Sequence, residues 1–125
     1  SRNMFRGQDK GFSSDTVALA ASKSAINQKW DLRVDEPARQ FFYMPLMHSE
    51  NLIDQDRCVR LLKERMRDGG GHNLLHARAH REVIRNFGRF PDRNSALSRK
   101  SSQAEADFIR DGGYGNLFQN LTVPI

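Results

Sequence analysis

An all-α fold is the class this sequence predicts, on three observations. Apolar residues recur at the helical period in several separate segments. Those segments are divided by glycine, proline and capping residues that stop one helix and start the next. No segment alternates apolar and polar residues long enough to argue for a strand. The expected array holds about five helices in a single domain over residues 1–125.

Residues 1–13 show no clear period and contain Gly7 and Gly11, so they read as an extended arm or loop. Ser14 and Asp15 suit the N-cap of a first helix that runs to about Trp30. On it Leu19, Ile26 and Trp30 share a stripe, flanked by the small residues Ala18, Ala21 and Ala25, which would let another helix approach. A polar turn over residues 31–36 follows, and Pro37 fits the first turn of a second helix. Residues 41–47 (Phe-Phe-Tyr-Met-Pro-Leu-Met) are apolar on every side, which predicts burial all round. Pro45 there predicts a kink or an ending, with Ser49 as the next N-cap.

A third helix is expected from about Glu50 to Arg67, with Leu52, Val59, Leu62 and Met66 at the helical period and Cys58 and Leu61 beside them. Gln55 lies in the middle of that stripe, where an unpartnered amide would cost about 1–3 kcal/mol. Gly69, Gly70 and Gly71 form the clearest break in the chain. The fourth helix spans about Asn73 to Phe87 and stops at Gly88; its predicted buried stripe is His76, His80, Val83, Ile84 and Phe87. Residues 90–94 read as a turn. Ser102 and Glu105 match a capping box that opens a last short helix to about Arg110. Residues 112–125 read as a tail, either disordered or packed as an arm.

Composition excludes several classes. Hydrophobic residues make up 38% and charged residues 28%, a polar globular balance, and no stretch approaches the length of a membrane span. The start lacks an apolar signal region, and the single cysteine, Cys58, excludes an internal disulfide; both lead to the expectation of a cytoplasmic protein. Twenty Lys plus Arg against fifteen Asp plus Glu give a net charge of +5. The excess is local: Arg78, Arg81, Arg85, Arg89, Arg93, Arg99 and Lys100 are opposed within their own stretch only by Glu82 and Asp92. Such a run suits an anionic partner, nucleic acid included, or a solvated face of ion pairs.

Several constellations bear on chemistry. His72, His76 and His80 fall at i, i+4 and i+8 on one side of the fourth helix. Two such neighbours can share a zinc ion, but no H-E-x-x-H glutamate or second cysteine accompanies them, so ordinary packing is favoured and no metal or other cofactor is expected. Nucleophile-elbow and phosphate-loop motifs are absent. Cys58 is expected to be an inert core thiol. Asp54 and Asp56 suit a cation or, more simply, the arginines. Asn120, Leu121 and Thr122 match a glycosylation sequon, which means little without a secretory signal.

Three stretches taken together resemble a bacterial family known as domain of unknown function 924. They are Arg2-Asn3-Met4-Phe5-Arg6-Gly7; residues 41–50 with Asp54 and Gln55; and His80-Arg81 through Phe87-Gly88-Arg89-Phe90-Pro91 with Arg93 and Asn94. Arg99, Ser101 and Glu105 fit the pattern as well, so the resemblance runs to about Ile109. It departs at Asp92, where the family usually has histidine, and at His76, commonly aromatic. The resemblance implies an α-α superhelix of tetratricopeptide-like type. It also implies several dozen residues before the first motif, so the chain is expected to be the C-terminal portion of that fold, with self-association as a homodimer a consequence of uncovered apolar surface. It brings no reaction and no catalytic residues.

The matching segments place polar side chains beside aromatics. Tyr43, His48, Gln55, His80, Arg89, Arg93 and Asn94 are the candidate lining of one pocket between the second, third and fourth helices. The leading expectation is a binding module for a small anionic ligand or an acidic peptide terminus, with Arg89 and Arg93 clamping the anion. The alternatives are a buried hydrogen-bond network, an enzyme with His48 or His80 as general base, and nucleic-acid binding through residues 78–100. A membrane partner is not expected.

Overall fold

The computed structural model describes residues 9–67 and 70–122, so the motif at residues 2–7 and Gly69 lie outside the described residues. Those residues form six α-helices and three short 3-10 turns, without a strand among them, in keeping with the predicted all-α array. None of these helices is long and apolar enough to cross a membrane.

Helix α1 runs over Asp9–Asn27. It therefore begins before Ser14 and Asp15, which lie inside it rather than capping it; a helix tolerates Gly11 at a cost of roughly 1 kcal/mol. Its buried face is Ser22, Ala25 and Ile26, while Ala18 and Ala21 are exposed. The helix ends before Trp30 because Lys29 takes a left-handed conformation (φ 62°) and its N–H donates to Ile26 O at 3.0 Å. Trp30 then opens a 3-10 turn, Trp30–Arg33, with its ring 44% exposed rather than on the predicted stripe. The same turn carries Asp31 into the interior, where it is fully buried.

A second 3-10 turn, Ala38–Phe42, leads into α2, Met44–Met47. Tyr43, Leu46 and Met47 are buried, but Phe41 is 68% exposed, so the segment is not buried all round. Pro45 sits in the first turn of α2, where its missing N–H costs nothing; it starts the helix instead of kinking it. Asn51, not Ser49, caps α3 (Leu52–Arg65), accepting from the N–H groups of Ile53 at 2.8 Å and Asp54 at 3.3 Å. Ser49 instead donates to Asp54 at 2.7 Å. Helix α4 is Gly71–Phe87, and Gly88 (φ 74°) takes the left-handed C-terminal position predicted for it. The last 3-10 turn, Pro91–Arg93, precedes α5, Gln103–Arg110, which carries the predicted capping box. Residues 113–122 are not an irregular tail: Gly112 (φ 110°) and Gly113 (φ 58°) reverse the chain into α6, Gly113–Thr122.

Two apolar centres hold these elements together. Ile26, Tyr43, Leu46, Met47, Cys58, Val59, Leu61, Leu62, Met66 and Ala77 pack α1, α2 and α3 against the first half of α4. Leu52, by contrast, is 40% exposed. Val83, Ile84 and Phe90 form the second centre, covered by Phe87, Phe108, Tyr114 and Leu117 from α4, α5 and α6. Helix α4 spans both, with His80 between Ala77 of the first centre and Val83 of the second.

Candidate functional site

A cleft of about 350 Å³ opens beside the second centre, lined by His48, His80, Val83, Phe90, Pro91, Asp92, Arg93, Phe108, Ile109, Gly112, Gly113 and Tyr114. Most of its wall is apolar. Its polar groups come from four places: His48 at the C-terminal end of α2, His80 in mid-α4, Asp92 and Arg93 in the turn after α4, and the Tyr114 hydroxyl on α6. A second, more polar cleft of about 260 Å³, lined among others by Asp15, Ser49 and Glu50, shares His48 and Arg93 with the first.

The frame of the site is a latch between the start of α3 and the loop after α4. Glu50 accepts from Arg99 Nη1 at 2.9 Å and Nη2 at 3.0 Å, and from the Phe90 N–H at 2.6 Å. Burial alone would raise the Glu50 carboxyl, but the Arg99 and Phe90 hydrogen bonds and the charges of Arg99 and Arg93 outweigh it and hold it below the usual range. Arg93 donates to His48 O at 2.8 Å and lies over the Phe90 ring, 4.6 Å from its centroid. This arrangement ties the two sides of the cleft mouth to one another.

His80 has a defined tautomer. Its Nδ1 lies 2.7 Å from the His76 carbonyl oxygen, which can only accept, so Nδ1 carries the proton and Nε2 the lone pair. Burial lowers its pKa despite that hydrogen bond, so the neutral ring prevails near pH 7. The ring stands edge-on to Phe90 at 5.7 Å, and 4.7 Å from the Tyr114 ring. His48 and His80 are neighbours, with ring centroids 5.9 Å apart. Burial pushes the Tyr114 hydroxyl up to about 12, which leaves it protonated at the cleft wall.

Of the sequence-predicted site residues, the structure brings His48, His80 and Arg93 to this cleft; the other four belong elsewhere. Tyr43 is fully buried and donates to Asp31, which also accepts from Arg65 at 2.8 and 3.0 Å. Gln55, also fully buried, donates to the carbonyls of Met47 and Ser49 at 2.6 Å each. Arg89 lies outside this cleft and binds Glu105 through two nitrogens at 2.7 and 2.8 Å, joining α5 to the end of α4. Asn94 donates to Ser101 and accepts from Arg99, both at 3.0 Å. These four side chains hydrogen-bond at separate places, Tyr43, Gln55 and Asn94 buried and Arg89 partly exposed, and do not converge on one pocket.

Part of the cleft escaped the sequence. Phe108 and Ile109 come from α5, Gly113 and Tyr114 from α6, and Gly112 from the turn between them. The signal was present, since Tyr114, Leu117, Phe118 and Leu121 recur at the helical period, but the glycines before them concealed it. The basic run is largely drawn into ion pairs: Arg81 with Asp56 at 3.6 Å, Arg85 with Glu82 at 3.6 Å, Arg89 with Glu105 and Arg99 with Glu50. Three of those carboxylates lie outside the run. Asp54 pairs with Lys23 at 2.9 Å. Cys58 is buried, which pushes its thiol up to about 12, too high for a reactive thiolate.

Comparison with known proteins follows the same line. A search of curated proteins finds no match. A solved protein of unknown function from Agrobacterium tumefaciens is 35% identical and superposes with a TM-score of 0.79 over 86% of this chain. The chain spans 59% of that protein's length. Residues 1–113 match the model of DUF924, a bacterial protein of unknown function, and the chain belongs to that family.

Proposed function

We propose that the chain is a binding module whose cleft takes a small acid with an apolar body. The observation that carries this reading is the grouping of Arg93, His48 and His80, with Asp92 and the Tyr114 hydroxyl beside them, in a cleft of about 350 Å³ whose wall is mostly apolar. Such sites bind by apolar contact and orient by a few polar groups. A guanidinium presents five donors in a fork and can serve the His48 carbonyl and a ligand carboxylate together. The lone pair on His80 Nε2 asks for a donor, so the preferred acid carries a hydroxyl or N–H group as well as its carboxylate. A free carboxylic acid and the carboxyl terminus of a peptide share that chemistry. A tetratricopeptide-like array and a cytoplasmic setting belong to the same proposal.

The test compares hexanoate with hexanamide, and 3-phenyllactate with its amide, by ligand-observed NMR. The acids bind and the amides do not, and Arg93→Gln weakens acid binding by about tenfold or more, as expected for a lost charge-assisted hydrogen bond. Equal binding of acid and amide would remove the carboxylate from the account.

A second reading is an enzyme with His80 as general base. It is favoured by the hydrogen bond from Nδ1 to the His76 carbonyl, which aligns the ring as a base requires. Slow conversion of a bound hydroxy acid, lost in His80→Ala, would select this reading; a ligand recovered unchanged selects the binding module.

A further inference from the structure

On the outer side of the histidine row, His72 and His76 meet one turn apart on α4. Their Nε2 atoms are 3.0 Å apart, with the rings edge to face at 4.5 Å. His72 is exposed, so the space between the two nitrogens is open to solvent. His76 is held from the other side by α6. Its ring stacks on Phe118 at 4.2 Å with 14° between the planes, and its Nδ1 lies 2.5 Å from the Tyr114 hydroxyl. Phe118 also stands edge-on to His72 at 6.1 Å.

We infer that His72 and His76 form a two-nitrogen chelate for one late first-row divalent ion, of the zinc, nickel or copper class. The distance argues for it. Two metal–imidazole bonds of about 2.0–2.1 Å place their nitrogens roughly 2.9 Å apart at a right angle and roughly 3.4 Å apart at the tetrahedral angle. The pair therefore stands at chelating separation, and a bound ion would take the place of the proton shared by the two nitrogens, which is released to water. The surroundings argue for it independently. The Tyr114 hydroxyl can accept from His76 Nδ1–H, and in that tautomer the lone pair of His76 lies on Nε2, the atom that faces His72, which is the arrangement metal-binding histidines take. The stack on Phe118 removes the ring rotation that a chelate would otherwise have to freeze. Among the described residues no group of three or more His, Cys, Asp or Glu side chains converges on one point. The ion would thus take two protein ligands and complete its shell with water.

The test titrates the folded chain with Zn²⁺, Ni²⁺ and Cu²⁺ separately by calorimetry, and maps Cu²⁺ by its broadening of side-chain NMR signals. One ion binds per chain, and broadening centres on His72, His76 and Phe118. Because His72 is exposed, His72→Ala keeps the fold; it weakens binding roughly a hundredfold, as expected when a bidentate site becomes monodentate. Tyr114→Phe keeps the aromatic stack but removes the partner of His76 Nδ1, and weakens binding about tenfold. Unchanged affinity in His72→Ala, broadening centred on another part of the chain, or no binding by any of the three ions would overturn the inference, leaving a His72–His76 hydrogen bond alone.

Discussion

Asp31 is the residue whose environment is furthest from what its neighbours in sequence suggest. It sits in a polar turn, yet it is fully buried and holds the Tyr43 hydroxyl and the Arg65 guanidinium, whose side chain is 21% exposed. Arg39 extends the group by donating to the carbonyls of Arg65 and Val34. Burial, then the Asp31 hydrogen bond and charge, push the Tyr43 hydroxyl far above its ordinary value, so it is a permanent donor. Removing the carboxylate strands Arg65 and Tyr43 together. Asp31→Ala is expected to cost about 3 kcal/mol, the lower end of the range for a broken buried pair because Arg65 retains some contact with water. Urea denaturation with an unchanged m-value would check it; a loss under about 1 kcal/mol would mean the group is solvated. Gln55 was legible in part: its place on an apolar stripe demanded partners, but not which ones. They are the carbonyls left over where α2 ends, so the amide closes a helix terminus that had no cap of its own.

At the scale of elements, α5 and α6 show how local and tertiary signals divide. The capping box of α5 is a pattern of neighbours and could be read directly. Its Glu105 does a second job that could not, bonding Arg89 sixteen residues earlier and fixing α5 on α4. The Arg89 hydrogen bonds and the Ser102 N–H draw the Glu105 carboxyl down to about 2 from 4.5. A carboxyl depressed by folding contributes stability that is complete above 4.5 and lost as pH falls toward 2. Glu50 is depressed as well and adds in the same direction. Unfolding free energies measured from pH 6 down to pH 3 should therefore fall, and fall less steeply in Glu105→Gln. Equal slopes in both proteins would show that the Arg89 pair is broken in solution.

Helix α6 lacks a buried residue, although Tyr114 and Leu117 pack partly on the second centre. It is expected to open separately: amide exchange in α6 should be faster than in α3, whose Cys58, Val59, Leu61 and Leu62 lie in the first centre. Equal protection of the two helices would contradict this.

For the molecule as a whole, the order of helices was readable from period, glycines and caps, whereas the cleft was not. Its wall is assembled from α2, α4, the turn after α4, α5 and α6, and only their packing decides which polar residues face it. Sequence reading grouped seven polar residues; four of them hold the helices together, and His48, His80 and Arg93 are left at the cleft. The basic run met the same fate, since carboxylates from distant parts of the chain draw off much of it. Two of the three segments that carry the family resemblance, residues 41–50 and 80–94, are joined by Glu50 through Phe90 and Arg99, so the resemblance marks part of the frame of the cleft without naming its ligand.

The proposed acid ligand of this cleft can be located on the molecule. The most direct measurement is the set of intermolecular nuclear Overhauser contacts from bound 3-phenyllactate. Contacts are expected from its ring to the side chains of Phe90, Phe108 and Tyr114, and in Arg93→Gln the same contacts should need a ligand concentration about tenfold higher or more. Contacts confined to residues away from the cleft, or contacts undiminished in Arg93→Gln at the same ligand concentration, would contradict it.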